Sequence, residues 1–178
     1  GKGSLPYDHA LNLGAAGVTG TPGANKFAGE ADLIIGIGTR YSDFTTASKT
    51  AFGNPEVKFI NINVADFDSH KQGALPLTSD AKVCLEELTG LLGNYTTARS
   101  YRKAAADANR SWDEQVEGFF KVSGARPVTQ AEVVGAVCGF AGPRDVVLCA
   151  AGSLPGDLHK LWRTSDPKGF HLEYGYST

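Results

Sequence analysis

The chain has 178 residues, of which 42% are hydrophobic and 20% charged, and its formal net charge is -2. This composition is typical of a globular protein and argues against extensive disorder. Lysine and arginine are scattered rather than clustered, which argues against nucleic-acid binding. No apolar run approaches the roughly 18 residues that span a bilayer, so a membrane protein is not expected either.

The three cysteines, Cys84, Cys138 and Cys149, are odd in number and show no Cys-x-x-Cys spacing. The sequence therefore predicts neither a disulfide framework nor a thiolate metal site. A reducing, cytoplasmic location fits this cysteine usage best.

Two segments of the N-terminal half have the pattern of parallel strands. Residues 31–38 are almost entirely apolar, which predicts a buried strand with helices over both of its faces. Residues 57–64 alternate in polarity, and Asn61 and Asn63 predict that one face of this strand meets something polar.

Capping signals predict helices around these strands. Thr21 followed by Pro22 is typical of a helix start, and Ser79 or Asp80 is expected to cap a later helix. The alternation predicts an α/β domain in residues 1–94, built as an open parallel sheet flanked by helices.

Apolar or small residues recur every three or four positions over residues 100–120, while the opposite face is charged. This pattern predicts a long amphipathic helix. We expect residues 95–124 to be a helical connector that lies across two domains.

A second α/β unit is predicted to follow. Thr129 and Glu132 have the spacing of a capping box at a helix start. A short apolar strand at residues 146–150 comes next, and a further helix is expected at 157–162. Residues 125–178 hold too few strands for a complete sheet, so this unit is expected to be incomplete.

Two glycine-rich turns are candidates for phosphate binding. Gly36 and Gly38 close the first strand, where α/β sheets place ligands and where glycine lets the backbone approach a phosphate. The dinucleotide fingerprint is not complete, because Tyr41 stands where its third glycine would be. The turn at residues 17–20 could line the same crevice. A tight strand-to-helix turn and a plain loop are the alternatives for the two segments.

The Gly/Pro-rich loop at residues 152–156 follows a predicted strand and suits a diphosphate. Ser153 lies outside any Gly-x-Ser-x-Gly frame, so it is expected to shape the backbone or contact phosphate rather than act as a nucleophile. Asp66 and Asp68 are interpreted as the start of a helix. The histidines have no metal-ligand spacing, and surface or core roles are expected for all four: His9, His70, His159 and His171.

Taken in order, these segments resemble the thiamine-diphosphate-dependent enzyme family that includes acetolactate synthase. The matching motifs are Gly1-Lys2-Gly3, Leu13-Gly14, the 17–20 turn, residues 31–43 and residues 60–64. Within the family, the chain looks most like an inositol-catabolic branch, to judge from residues 40–46, 61–64, 150–158 and 171–177. The resemblance covers essentially the whole chain.

The resemblance implies that the chain is the middle domain and the first part of a diphosphate-binding domain. The chain begins without an initiator methionine and ends in aromatic sequence, so we expect further domains on either side. The family's activating glutamate and its magnesium motif would lie in those domains. No catalytic residue and no metal ligand is therefore assigned to this chain.

In the intact enzyme, the resemblance implies cleavage of a carbon–carbon bond of a cyclic 1,2-diketone, with thiamine diphosphate and Mg²⁺ as cofactors. A homodimer or homotetramer is implied, with active sites between subunits. The isolated chain is expected to bind the cofactor weakly or not at all and to be inactive. Two alternatives stay open: an acetolactate synthase-like transferase or decarboxylase, and a stand-alone nucleotide-binding Rossmann module.

The resemblance also implies two sets of cofactor-binding residues. Thiamine diphosphate contacts fall by position on Gly152, Ser153, Leu154, Pro155, Gly175 and Tyr176. Some family members bind FAD or ADP at the middle domain, and the matching positions here are Gly17, Thr19, Gly20, Gly38, Arg40 and Asn63. A histidine is common at the position of Thr19 in the flavin-binding pattern, which argues against a flavin.

Overall fold

The computed structural model describes residues 1–172, which form two parallel β-sheets with helices packed against them. In chain order the elements are α1 (Pro22–Glu30), β1 (Leu33–Ile37), α2 (Asp43–Thr46), β2 (Lys58–Asn63), α3 (Asp66–Ser69), β3 (Leu75–Thr78), α4 (Ala81–Leu92), α5 (Arg99–Phe120), α6 (Gln130–Phe140), β4 (Val147–Cys149), α7 (Ser153–Leu161) and β5 (Phe170–Leu172). The predicted α/β class, with parallel strands and flanking helices, is confirmed.

The first sheet has the strand order β1-β2-β3 and is parallel throughout. In its register Ile35 lies opposite Ile60, and Ile60 lies opposite Leu75. The strand β3 was not predicted from the sequence, and it contains Pro76, which cannot donate a ladder hydrogen bond. Its position at the edge of the sheet explains why proline is tolerated there.

The expectation that helices cover both faces of the first strand is wrong. Leu33, Ile35 and Ile37 point to one face of β1 and keep 46%, 42% and 45% of their surfaces exposed. Helix α4 contacts β2, and the three side chains on this side of β1 stay exposed. An apolar run in the sequence does not tell whether helices cover one face of a strand or both.

The predicted helix starts are confirmed in the backbone. The Thr21 hydroxyl caps α1 by accepting from a first-turn N–H, and the Asp80 carboxylate, rather than Ser79, caps α4. Thr129 and Glu132 form the expected capping box at the start of α6.

Helix α5 contacts α1 on the side of the first sheet and α6 on the side of the second. The strands β4 and β5 are parallel, with Val147 opposite Phe170. They share one apolar core with α5, α6 and α7, formed by Val116, Val134, Cys149, Leu161, Trp162 and Phe170. The division into residues 1–94, 95–124 and 125–178 stays a prediction.

The segment expected to be a loop at residues 152–156 is largely helical. Helix α7 begins at Ser153, four residues before the predicted start at Asp157. Pro155 is compatible with this because the first-turn N–H groups of a helix have no intrahelical acceptor, so none is lost. Gly152 precedes the helix with φ +128°, a conformation that favours glycine.

Candidate functional site

The N-terminus of α7 is a candidate position for a phosphate. Gly152 is the N-cap residue, and among residues 1–172 no side chain caps the first turn. The Ser153 hydroxyl lies 3.3 Å from Gln130 Nε2, and Leu154 is exposed. Pro155 has no N–H and the Gly156 N–H donates to the Gly152 carbonyl, so Ser153 and Leu154 supply the amides of this turn. These two N–H groups and the helix dipole favour an anion at this position, which is compatible with the predicted diphosphate. Gly175 and Tyr176 lie outside the described residues.

The turn after β1 leaves open space at the carboxyl end of the first sheet. Gly38 has φ +61°, and a Cβ added there would have no neighbour within 4 Å. Arg40 is exposed, while its backbone carbonyl accepts a hydrogen bond of 2.7 Å from Lys71 Nζ. Lys71 thus anchors the backbone of Arg40 two positions after the open glycine.

Asn63 is 8% exposed, and both ends of its amide have partners within the chain. Its Nδ2 donates to the Thr39 carbonyl at 3.0 Å, and its Oδ1 accepts from the Ala65 N–H at 3.0 Å. The side chain therefore holds the two loops at this sheet edge next to each other.

Asn61 meets the polar group that the alternating pattern of its strand predicts. The Tyr41 hydroxyl donates to Asn61 Oδ1 at 2.7 Å, and Asn61 Nδ2 donates to the Lys71 carbonyl at 2.9 Å. Burial raises the pKa of Tyr41 to about 12. A Cβ at Gly36 would lie 2.1 Å from the Tyr41 hydroxyl, so this glycine makes room for the tyrosine.

The glycines of the 17–20 turn are packed against neighbouring backbone. Gly17 has φ +96°, and an added Cβ would lie 1.9 Å from the Phe44 carbonyl oxygen. At Gly20 an added Cβ would lie 2.7 Å from the Ala15 carbonyl oxygen. Both glycines therefore let two backbone segments approach closely. The contact at Gly17 places the turn beside the segment that follows β1.

The side chain of Thr19 contacts α7. Its Oγ1 lies 2.8 Å from His159 Nδ1, and Lys2 Nζ donates to the His159 carbonyl at 2.7 Å. Burial, followed by the charge of Lys2, lowers the pKa of His159 to about 4, and burial lowers that of Lys2 to about 8. Sequence reasoning missed this cluster because Thr19 and His159 are 140 positions apart and no motif joins them.

A cleft of about 330 Å³ lies between the N-terminal segment, α5 and α7. Lys2, Trp112, Asp113 and Arg163 contribute to its lining, and burial raises the pKa of Asp113. None of the predicted cofactor residues within residues 1–172 lines this cleft.

The described residues contain no group of three or more His, Cys, Asp or Glu side chains that could hold a metal ion. Asp66 and Asp68 lie in the first turn of α3, as predicted, and Asp68 pairs with Lys71 at 2.7 Å. All three cysteines are free thiols. Over residues 1–172, no helix is both long and apolar enough to cross a membrane.

Comparison with known proteins places these features in a family. Residues 1–88 match the family described as thiamine pyrophosphate enzyme, central domain. The 3D-(3,5/4)-trihydroxycyclohexane-1,2-dione hydrolase of Clostridium perfringens is 40% identical over 200 residues, and that of Listeria monocytogenes is 42% identical over 200 residues. The Bacillus anthracis protein of the same name is 40% identical over 201 residues.

These alignments cover 99% of this chain and 31% of each relative. The chain thus spans about a third of the length of the relatives that it matches. The family match over residues 1–88 and the similarity over 99% of the chain together support a fragment of a thiamine pyrophosphate enzyme.

Proposed function

We propose that the chain is part of a thiamine diphosphate-dependent hydrolase that converts trihydroxycyclohexane-1,2-dione to 5-deoxyglucuronic acid in myo-inositol catabolism. The observation that carries this proposal is the identity of 40% to 42% with relatives of that name over 99% of the chain. Because the similarity extends beyond the central domain, it includes α5, α6 and α7. We infer that both sheets belong to one enzyme.

In this proposal the N-terminus of α7 binds the cofactor diphosphate. The N–H groups of Ser153 and Leu154 donate to phosphate oxygens, and Gly152, which has no side chain, leaves the start of the helix accessible. Ser153, Leu154 and Pro155 complete this turn, and Gly175 and Tyr176 are assigned to the same cofactor by position. Mg²⁺ would balance the charge of the diphosphate through ligands from outside this chain.

Thiamine diphosphate, when bound, supplies the electron sink for carbon–carbon cleavage. The residues of this chain bind and orient its diphosphate, and none of them is assigned as an acid, a base or a nucleophile. The activating glutamate and the diketone-binding residues are proposed to come from the other domains of the same enzyme and from a second subunit. A homodimer or homotetramer in the cytoplasm is the assembly that we propose.

The first sheet offers a second, separate position for an FAD or ADP group. Gly38 leaves open space, and Arg40 provides an exposed cation beside it. The amide of Asn63 and the hydroxyl of Thr19 already have partners within the chain. This arrangement offers few free donors to a nucleotide, so we propose that the middle domain works without one.

The proposal is tested on the purified full-length protein with thiamine diphosphate and Mg²⁺. We expect trihydroxycyclohexane-1,2-dione to be consumed and 5-deoxyglucuronic acid to appear, measured by mass spectrometry. Absence of this product, together with formation of acetolactate from pyruvate, would instead support the acetolactate synthase-like alternative.

The 178-residue chain is tested separately by titration calorimetry with thiamine diphosphate, NAD, FAD and ADP. We expect no saturable binding, because only part of the diphosphate site lies in this chain. Tight binding of NAD, FAD or ADP by the chain alone would contradict this expectation and favour a stand-alone nucleotide-binding module.

A further inference from the structure

The contact between the 17–20 turn and helix α7 joins the two halves of the molecule close to the predicted diphosphate site. On one side, Thr19 lies in a turn fixed by a hydrogen bond of 2.8 Å from the Val18 N–H to the Phe44 carbonyl. On the other side, Gly156 and His159 lie on the first two turns of α7. The contact therefore reaches α7 within a few residues of its N-terminus.

Two atoms of Thr19 are used in this contact. Its Oγ1 lies 2.8 Å from His159 Nδ1. Its methyl carbon lies 3.5 Å from where a Cβ on Gly156 would be, an ordinary van der Waals distance, so the methyl group faces α7 at Gly156. The same threonine thus meets α7 at two positions, through its methyl group at Gly156 and through its hydroxyl at His159.

The imidazole of His159 is held from its other side as well. Its ring stacks on Phe170 of β5 at 6.1 Å between centroids, and Lys2 Nζ lies 5.6 Å from the centroid of Phe170. Lys2 also donates to the His159 carbonyl at 2.7 Å. Because the ring is fixed between β5 and Thr19, its Nδ1 has a defined position for the hydroxyl.

We propose that Thr19 and His159 are positioning residues that hold the N-terminus of α7 in place for the cofactor diphosphate. This inference rests on the proposed function, because it assigns the diphosphate to the first turn of α7. Thr19 then acts by positioning α7 and not by the nucleotide contact that was expected from its position in the sequence. His159, for which only a surface or core role was expected, becomes its partner.

The test uses the full-length protein and compares variants that remove the hydrogen bond with one that keeps it. Thr19→Val keeps the methyl packing but removes the hydroxyl, and His159→Phe keeps a ring on Phe170 but removes Nδ1. Thr19→Ser retains the hydroxyl and serves as the rescue variant. Thr96→Val is the matched control for replacing a threonine by valine, because Thr96 is exposed and lies between α4 and α5.

The measured quantities are the Kd and KM for thiamine diphosphate at saturating Mg²⁺, kcat, and the thermal midpoint. Thr19→Val and His159→Phe are each expected to weaken cofactor binding about three- to tenfold, as loss of one hydrogen bond would. KM for the cofactor should rise by more than kcat falls. The double variant should lose less than the product of the single losses, because both changes remove the same contact. Thr19→Ser should bind nearly as the unmodified protein does.

The inference is overturned if Thr19→Val binds thiamine diphosphate as tightly as Thr96→Val, or if Thr19→Ser is as weak as Thr19→Val. A lowered thermal midpoint with unchanged cofactor affinity would also overturn it, since this result means a role in stability alone. If the unmodified full-length protein itself fails to bind thiamine diphosphate, the proposed function fails, and this inference fails with it.

Discussion

At the scale of single residues, several groups that look functional in the sequence serve the packing of the first sheet. Gly36 is needed because the Tyr41 hydroxyl occupies the space where a side chain would be. Asn61 and Asn63 face protein partners rather than solvent. A sequence shows that such residues are small or polar, but only the fold shows which neighbours they satisfy.

The bond between Tyr41 and Asn61 gives a direct prediction. Asn61 is 2% exposed, so Tyr41→Phe leaves a buried amide oxygen without its donor. We expect the free energy of unfolding to fall by about 1 to 3 kcal/mol in urea denaturation. Tyr95→Phe is the matched control, because Tyr95 is 69% exposed and should tolerate the change. Equal stability of the two variants would contradict the role given to Asn61.

Gly17 is predicted to be the glycine that least tolerates a side chain. Gly17→Ala would place a methyl group 1.9 Å from the Phe44 carbonyl oxygen at φ +96°. We expect a loss of about 2 kcal/mol or more, since overpacking adds to backbone strain. Gly118→Ala, in open space within α5, should be neutral or stabilising by about 0.5 to 1 kcal/mol. Urea denaturation of both variants measures the difference.

At the scale of elements, helices with polar caps were predicted well and strands less well. Thr21, Asp80 and Thr129 start their helices because the capping bond is local and depends on residues within one turn. In contrast, β3 forms by pairing with β2. Its four residues show no pattern that would predict a strand from the sequence alone. Exposure of β1 likewise depends on distant elements that its sequence cannot specify.

The same difference between local patterns and distant contacts applies to the candidate site, where residues 152–156 are local and the contact of Thr19 with His159 is not. The turn at Gly152 could be predicted, because a glycine after a strand is a local pattern, whereas phosphate binding by residues 152–156 stays a prediction. The extension of α7 to Ser153 was missed, since Pro155 looked like a loop residue although it is compatible with a first helical turn. The contact of Thr19 with His159 could not be predicted, because it depends on how the two halves pack.

The capping box of α6 predicts a dependence of stability on pH. Glu132 accepts hydrogen bonds from the backbone N–H groups of Ser123 and Thr129 at 2.6 and 2.8 Å. These bonds lower the pKa of Glu132 from its ordinary 4.5 to about 2. The folded state therefore holds this carboxylate ionised when the unfolded chain would protonate it. Its stabilising contribution is complete above pH 4.5 and is lost as the pH falls towards 2.

Acid titration of the unfolding midpoint measures this effect. Glu132→Gln should lower the midpoint at neutral pH and flatten its decline in this acidic range, because the variant has no carboxylate to protonate. Glu114→Gln, at an exposed position on α5, should leave the midpoint at neutral pH unchanged. A variant at Glu132 with the same acid profile as the unmodified chain would argue against this account.

At the scale of the whole molecule, the exposed side of β1 is the largest departure from the expected arrangement. Leu33, Ile35 and Ile37 are exposed on this strand, whereas Ile62, the β2 residue opposite Ile37, is only 1% exposed. Exposed apolar side chains grouped on one strand bind hydrophobic dyes and promote association.

We therefore predict that the 178-residue chain enhances the fluorescence of an anilinonaphthalene dye. The double variant Ile35→Thr/Ile37→Thr should reduce this signal while keeping β-branched residues in the strand. Val122→Thr, at an isolated residue that is 82% exposed, should have little effect. An unchanged signal in the double variant would show that the dye binds elsewhere.

The shared core around β4 and β5 also determines what an optical experiment on this molecule reports. The chain has two tryptophans: Trp162 lies inside that core, and Trp112 packs against it. Their emission follows this core and the cleft that Trp112 lines, whereas circular dichroism follows the helices of both halves. If the two signals change at the same denaturant concentration, the halves lose their structure in one cooperative step.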